Sequence, residues 1–317
     1  MPVSLNNLLV IGISSRALFD LEAEENIFRT QGLDAYRQHQ LDNESEILKL
    51  GAGFALVRAL LKLNVLAPGQ RLVEVVIMSR NSSETSMRIF NAIKHYDLDI
   101  TRAVLSGGAS LAPYLHAFNV SLFLSLHEDD VQAAVDSGVA SALLYQKPDN
   151  ALEELDQIRI AFDGDAVIFS DESEHIYQTQ GIEAFENHER ENALKPLPEG
   201  PFARLLKALS FIQNNFNYTA NQGDNTTHPA PRPVPLRTAL VTARSSPAHE
   251  RVIRTLRAWD VTIDETFFMG GVAKSDVLAA FKPHMFFDDQ PGHCDRASTL
   301  VQTGRVPLRV RGETKLP

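Results

Sequence analysis

Cysteine is nearly absent from this sequence: Cys294 is the only one among 317 residues. No disulfide can close within the chain, and no cysteine-based zinc site can form. That scarcity suits a reducing compartment. Apolar runs long enough to span a bilayer are also missing, and the opening segment MPVSLNNLLV has no basic region of the kind that begins a secretion signal. A cytoplasmic protein is the default expectation. Positive charge is in deficit, with 30 Lys and Arg against 40 Asp and Glu and a formal charge of −10. Nucleic acid and anionic membrane would both be repelled by that balance. A small anionic ligand is still admissible wherever a pocket is locally positive. What remains is ordinary for a globular chain, 44% hydrophobic and 22% charged, and long enough for one large or two medium domains.

The most informative positive feature is an internal repeat. NIFRTQGLDAYRQHQLDNE, at residues 26–44, aligns without gaps on HIYQTQGIEAFENHERENA, at 175–193, with seven of nineteen positions identical. The likeness extends outward: LLVIGISSRAL parallels IRIAFDGDAVI, VVIMSRNSS parallels ALVTARSSP, and TRAVLSGGAS parallels ETFFMGGVAK. Both copies then read as apolar strands alternating with amphipathic helices, among them GFALVRALLKLN and PFARLLKALSFIQNNF. Such alternation implies an α/β fold with a parallel sheet covered on both faces. Two tandem Rossmann-like units are expected, 1–150 and 151–317, with the break near 146–153. A cap insertion and a mobile loop are expected within the second unit over about 170–235.

In such sheets ligands bind beyond the carboxyl ends of the strands. The strand IRIAF ends in Asp163-Gly164-Asp165. Two carboxylates on an extended backbone, one residue apart, suit a nucleophile and a general acid. Asp-Gly is equally a common turn pair. The next strand ends in Thr242, whose hydroxyl at a helix N-terminus can bind a phosphoryl oxygen, followed by Ala243 and Arg244. Lys274 follows Gly270-Gly271 in the first turn of a helix, where a solvated surface lysine is the plain alternative. The strand HMFF ends in Asp288-Asp289, an acidic pair that needs a cation nearby.

Asp-x-Asp-x-Val, then Thr, Lys and Asp-Asp, each at a strand end and in this order, resembles the haloacid dehalogenase superfamily of phosphatases. More narrowly, FDGDAVIFSDESE together with SSRALFDLE and MSRNS resembles the cytosolic type I 5′-nucleotidases, over nearly the whole chain. The resemblance implies a haloacid dehalogenase-like catalytic half that hydrolyses nucleoside 5′-monophosphates of the AMP kind. Asp163 would be its nucleophile, Asp165 its general acid and base, and Thr242 and Lys274 would hold phosphoryl oxygens. It also implies Mg2+ on Asp163, the Asp165 carbonyl, Asp288 and Asp289. Gly164, Ala243 and Arg244 are then expected at the substrate, with Tyr177, Phe185 and His188 of the cap near the base. Packing on the core is the alternative for each aromatic, and a surface salt bridge for Arg244. Sugar phosphates are the competing substrate class, and a nucleotide-binding regulatory protein the competing function.

In the first half, Ser14 replaces Asp163 and Arg16 replaces Asp165, while the position of Lys274 falls near Leu111 and that of Asp288 near Ser125. That half is expected to be catalytically silent. Ser14, Ser15, Arg16, Ser79 and Arg80 there form a candidate second anion site, for a nucleotide effector or part of the substrate, unless the half serves only as a packing partner. The sequence leaves association into a homo-oligomer open.

Overall fold

The computed structural model describes residues 4–67, 69–146, 157–222 and 235–309. Ten strands form one sheet. In chain order these are β1 (Leu9–Ile13), β4 (Val73–Ser79), β5 (Arg102–Leu105), β6 (Leu122–Ser125), β7 (Ser141–Leu144), β8 (Ile158–Phe162), β9 (Leu236–Thr242), β10 (Glu265–Phe268), β11 (Met285–Asp288) and β12 (Thr303–Arg305). The numbers left over, β2 (Phe19–Asp20) and β3 (Lys49–Leu50), pair separately. The sheet order is β10-β9-β8-β11-β12-β7-β6-β1-β4-β5. Every neighbouring pair is parallel except β12 and β7, which meet antiparallel at the centre through Gly304 opposite Leu144 and Arg305 opposite Leu143. From that seam outward each half runs in the same order: β7-β6-β1-β4-β5 on one side, β12-β11-β8-β9-β10 on the other. The halves therefore share one continuous sheet.

The strand sequences explain the burial. Alternate residues of an extended chain face opposite sides. Leu9, Ile11 and Ile13 thus enter one large core with Ile160 and Phe162, while Val10 faces a smaller cluster with Val76 and Met78. Ala161, Ala239 and Val241 do the same in the second half, against Leu278 and Phe281. The large core is contiguous across the seam. It is covered by the helix Phe54–Leu66, through Phe54, Val57 and Leu60, and by the helix Ala203–Gln222, through Leu205, Leu206 and Leu209. These are the two amphipathic helices expected from the i, i+3, i+4 spacing.

The repeated TQG has a conformational meaning. Gly32 (φ 89°, ψ −178°) separates the helices Glu22–Gln31 and Leu33–Asp42, and Gly181 (φ 84°, ψ −179°) bends the helix Glu172–Glu191 in the same way. Only glycine adopts such angles without strain, so the same residue recurs at both bends. The expected break at 146–153 lies outside the described residues except for Gln146. Of the cap and loop expected over about 170–235, residues 223–234 also lie outside the described residues, while the helix before them continues to Gln222.

Candidate active site

Pairing of β8 with β11 brings the acidic residues together. Asp163 follows β8 directly, and its backbone N–H donates to the Phe287 carbonyl at 2.8 Å. Asp163 is 5% exposed and Asp288 fully buried. One carboxylate oxygen from each of Asp163, Asp288 and Asp289 lies within 4.8 Å of the others. Lys274 caps the helix Ser275–Phe281 at its N-terminus and reaches back under this cluster. Its Nζ stands 2.7 Å from Asp163 Oδ1 and 2.7 Å from Asp288 Oδ2. Asp288 Oδ1 accepts from the Gln290 N–H at 2.9 Å, and His293 Nδ1 lies 3.3 Å from Oδ2. Asp289 Oδ1 is buried and has no hydrogen-bond partner.

The electrostatics follow from three carboxylates around one ammonium. Burial pushes the Asp163 carboxyl up to about 7; Lys274 opposes the rise, while Asp288 and Asp165 add to it. Burial, with Asp163 and Asp288 beside it, pushes Asp289 up to about 8. Asp288 is held below the usual carboxylate range despite its burial, because His293, Lys274 and the Gln290 N–H outweigh that cost. Lys274 is raised although burial works against it, since Asp163 and Asp288 favour its charged form. Excess negative charge, an all-oxygen donor set and an orphaned Asp289 oxygen fit a hard divalent cation such as Mg2+.

Asp165 does not join that cluster. Residues Gly164–Ile168 form a tight turn with Ala166 at φ 59°, and the turn directs Asp165 elsewhere. Its two oxygens accept from Arg244 Nε at 2.7 Å and Nη2 at 2.6 Å. The two carboxylates of DGD thus diverge, where the sequence suggests a shared direction. Arg244 in turn donates through Nη1 to Glu189 Oε2 at 2.5 Å, and Glu189 Oε1 accepts from Arg251 Nη1 at 2.9 Å and Ser173 Oγ at 2.8 Å. Arg244 is buried and wholly engaged with carboxylates. Its guanidinium carbon lies 5.4 Å from the centroid of Phe185, which meets Tyr177 edge-on at 6.2 Å. Tyr177 itself is 48% exposed.

Thr242 ends β9 in full burial, with Oγ1 accepting the Arg244 N–H at 3.3 Å. It is not at a helix N-terminus, because the helix His249–Ala258 starts only after a six-residue connection containing Ala243, which is exposed. Gly164 packs beside Thr242: a Cβ there would stand 3.1 Å from its Oγ1. His188 lies 3.3 Å from Arg251 and 3.8 Å from Glu172. His284 accepts the Arg159 N–H through Nδ1, and burial, aided by Arg159, lowers its pKa to about 4. Cys294 is buried, and that burial raises its thiol.

The family model described as 5′-nucleotidase matches residues 1–313. The chain belongs to the 5′-nucleotidase family. It is 37% identical over 305 residues to cytosolic 5′-nucleotidase 1B of Homo sapiens, an alignment that covers 94% of this chain and 48% of that protein. The chain therefore spans about half the length of that curated relative. No solved structure matches it significantly. Among the described residues, no helix is long and apolar enough to cross a membrane.

Three residues around the acidic cluster were assigned no role from the sequence: Glu189, Arg251 and His293. Glu189 and Arg251 belong to separate helices 62 residues apart in sequence, and no local pattern joins them. His293 had a signal, its position four residues after Asp289. Of the first-half residues, Ser14, Ser15, Arg16, Ser79 and Arg80 all line one cavity of about 570 Å³ at the carboxyl ends of β1 and β4. Arg16 is paired there with Glu25 at 3.2 Å and Arg80 with Asp130 at 2.5 Å. Asp130 stands in the first turn of the helix Glu128–Asp136.

Proposed function

We propose that the chain is a Mg2+-dependent phosphomonoester hydrolase that converts nucleoside 5′-monophosphates of the AMP kind to nucleoside and phosphate. The reading rests on one observation: Asp163, Lys274, Asp288 and Asp289 converge beyond the carboxyl ends of β8 and β11 in a chain of the 5′-nucleotidase family. Mg2+, when bound by Asp163, Asp288, Asp289 and the Asp165 carbonyl, would offset the repulsion between an anionic nucleophile and an anionic phosphate.

The chain's own groups supply the rest. An Asp163 oxygen attacks phosphorus, forming an aspartyl phosphate as the P–O5′ bond breaks. Asp165 delivers a proton to the departing 5′-oxygen and then takes one from the water that cleaves the aspartyl phosphate. Lys274 and Thr242 hold the phosphoryl oxygens as charge develops on them. Since Asp165 is engaged by Arg244, its donor role requires that pair to open, which couples catalysis to the segment bearing Glu189. In this reading the chain comprises two tandem units. The second carries the cap that includes Tyr177 and Phe185, and the ring pair faces the base. A cytoplasmic setting is consistent with the name of the human relative.

The test is phosphate release from a panel of nucleoside 5′-monophosphates and sugar phosphates, with and without Mg2+. Asp163→Asn should abolish release while circular dichroism stays unchanged. Sugar phosphates turned over as fast as nucleotides, or an active Asp163→Asn, would refute the proposal.

A further inference from the structure

The cavity in the first half lies beyond β1 and β4 as the acidic cluster lies beyond β8 and β11, yet its chemistry differs. At about 570 Å³ it falls within the range of small-molecule sites. Its guanidinium groups are already committed: Arg16 to Glu25, Arg80 to Asp130 and Arg37 to Glu84. The buried Glu24 on its wall is paired with Arg88 at 2.5 Å. Positive charge is thus balanced, and a free phosphate would find no uncompensated cation among the described residues.

What the cavity does offer is neutral. Its wall is largely apolar, with Leu21, Leu33 and Met78 beside the rings of Phe28 and Tyr36, which meet edge-on with centroids 5.9 Å apart. In the repeat these two rings correspond to Tyr177 and Phe185. One buried polar atom of a lining residue has no hydrogen-bond partner, His127 Nδ1, while the Asn81 side chain is engaged by the Tyr36 hydroxyl. Buried polar atoms without partners are uncommon in folded proteins. An apolar wall built on two aromatic rings, with an unpaired imidazole nitrogen beside it, suits a flat heterocycle with hydrogen-bonding edges.

We propose that this cavity is a second ligand site, which takes the neutral base and sugar of a nucleoside between the Phe28–Tyr36 wall and the His127 side chain. The existence of the site rests on this geometry alone. The choice of a nucleoside over other heterocycles rests on the nucleotide-hydrolase reading.

Hydrogen exchange on the full chain with added adenosine tests this. Protection is expected at Leu33–Asp42 and at 79–85, in addition to any at 163–190. His127→Ala should weaken that first-half protection about tenfold, as loss of one hydrogen bond in a buried site predicts. Phe28→Ala should weaken it as well; this ring is 46% exposed, so the variant tests the site without emptying the core. Neither change should alter turnover at saturating nucleotide by more than about twofold. Adenosine protection confined to the second half would overturn the proposal. So would inorganic phosphate protecting the first half as well as adenosine does, since the site would then be an anion site. First-half protection in a chain that hydrolyses no nucleotide would uphold the site and sink the proposed activity alone.

Discussion

Replacing Glu189 by Gln changes one atom in a fully buried side chain, and its consequence can be worked from the contacts. The carboxylate accepts from Arg244 at 2.5 Å, Arg251 at 2.9 Å and Ser173 at 2.8 Å. A glutamine has one acceptor oxygen, so its NH2 must face at least one guanidinium, donor against donor. Removing the charge from one side of a buried pair costs about 3–5 kcal/mol. Gln keeps the shape and half of the acceptor capacity, so about 3 kcal/mol is expected. At roughly 2 °C per kcal/mol for a chain of this size, the melting temperature should fall by about 6 °C.

Function should respond in a particular way. Without Glu189 the Arg244 guanidinium is left to Asp165 alone, and the pair becomes harder to open. Turnover should therefore fall at saturating substrate, with KM little changed. Calorimetry and steady-state kinetics on Glu189→Gln check both parts, and the double variant with Arg251→Gln should show coupling of about 0.5–3 kcal/mol. A melting temperature within 1 °C of the parent, or purely additive single effects, would refute the account of Glu189 as the shared anchor of two arginines.

The remaining expectations concern the acidic cluster and the backbone beside it. Asp163 and Asp289 have folded-state pKa values raised to about 7 and about 8, above the ordinary 3.8, so between those limits the folded chain binds more protons than the unfolded one. Stability without divalent cation should then decline as pH rises from about 4 to 8. Asp289→Asn should raise the melting temperature at pH 8 and leave it unchanged near pH 4. Added Mg2+ should stabilise the parent chain, most at pH 8, and should stabilise Asp288→Asn much less; equal shifts in both would exclude the cluster as its site. Gly200→Ala places a Cβ 2.2 Å from the Phe169 carbonyl oxygen. Backbone on that side cannot yield, so the variant should lose more than about 3 kcal/mol or fail to fold, as read by expression and calorimetry.

What could be read from the sequence, and what could not, divides along physical lines. The strand LVIGI is buried end to end, and LRTALVT at every residue but Arg237, and their apolar runs show it without any structure. The strand-end positions of Asp163, Thr242 and Asp288 were legible because a parallel sheet puts all such ends on one edge. The central seam was not. β7 and β12 are only four and three residues long, too short for periodicity, and their antiparallel pairing joins segments about 160 residues apart. The direction of Asp165 was equally hidden, because it is fixed by the pairing with Arg244 across 79 residues, which nothing in DGDAV announces. Arg244 reads as an exposed cation in ARSS. Only the partner carboxylates from two other segments make its burial tenable.

The first half supplies an internal control on the aspartates. Ser14 and Asp163 occupy corresponding strand ends with nearly the same backbone, φ −71° and ψ 150° against φ −71° and ψ 165°. Each donates its N–H to the neighbouring strand, Ser14 to Leu124 at 2.9 Å and Asp163 to Phe287 at 2.8 Å. Backbone hydrogen bonds therefore hold this strand end in both places, and a serine serves as well as an aspartate. The aspartate is the worse choice for folding, since burial and its acidic neighbours push its pKa up toward neutrality. A group that the turn does not need, and that costs stability where it stands, is retained most simply for chemistry. By the same reasoning Lys274 is no surface lysine. It is buried between two carboxylates, and its first-half counterpart near Leu111 falls at an apolar residue within the smaller core. The charged set is thus confined to one end of the shared sheet, an asymmetry that supports the catalytic role proposed for Asp163.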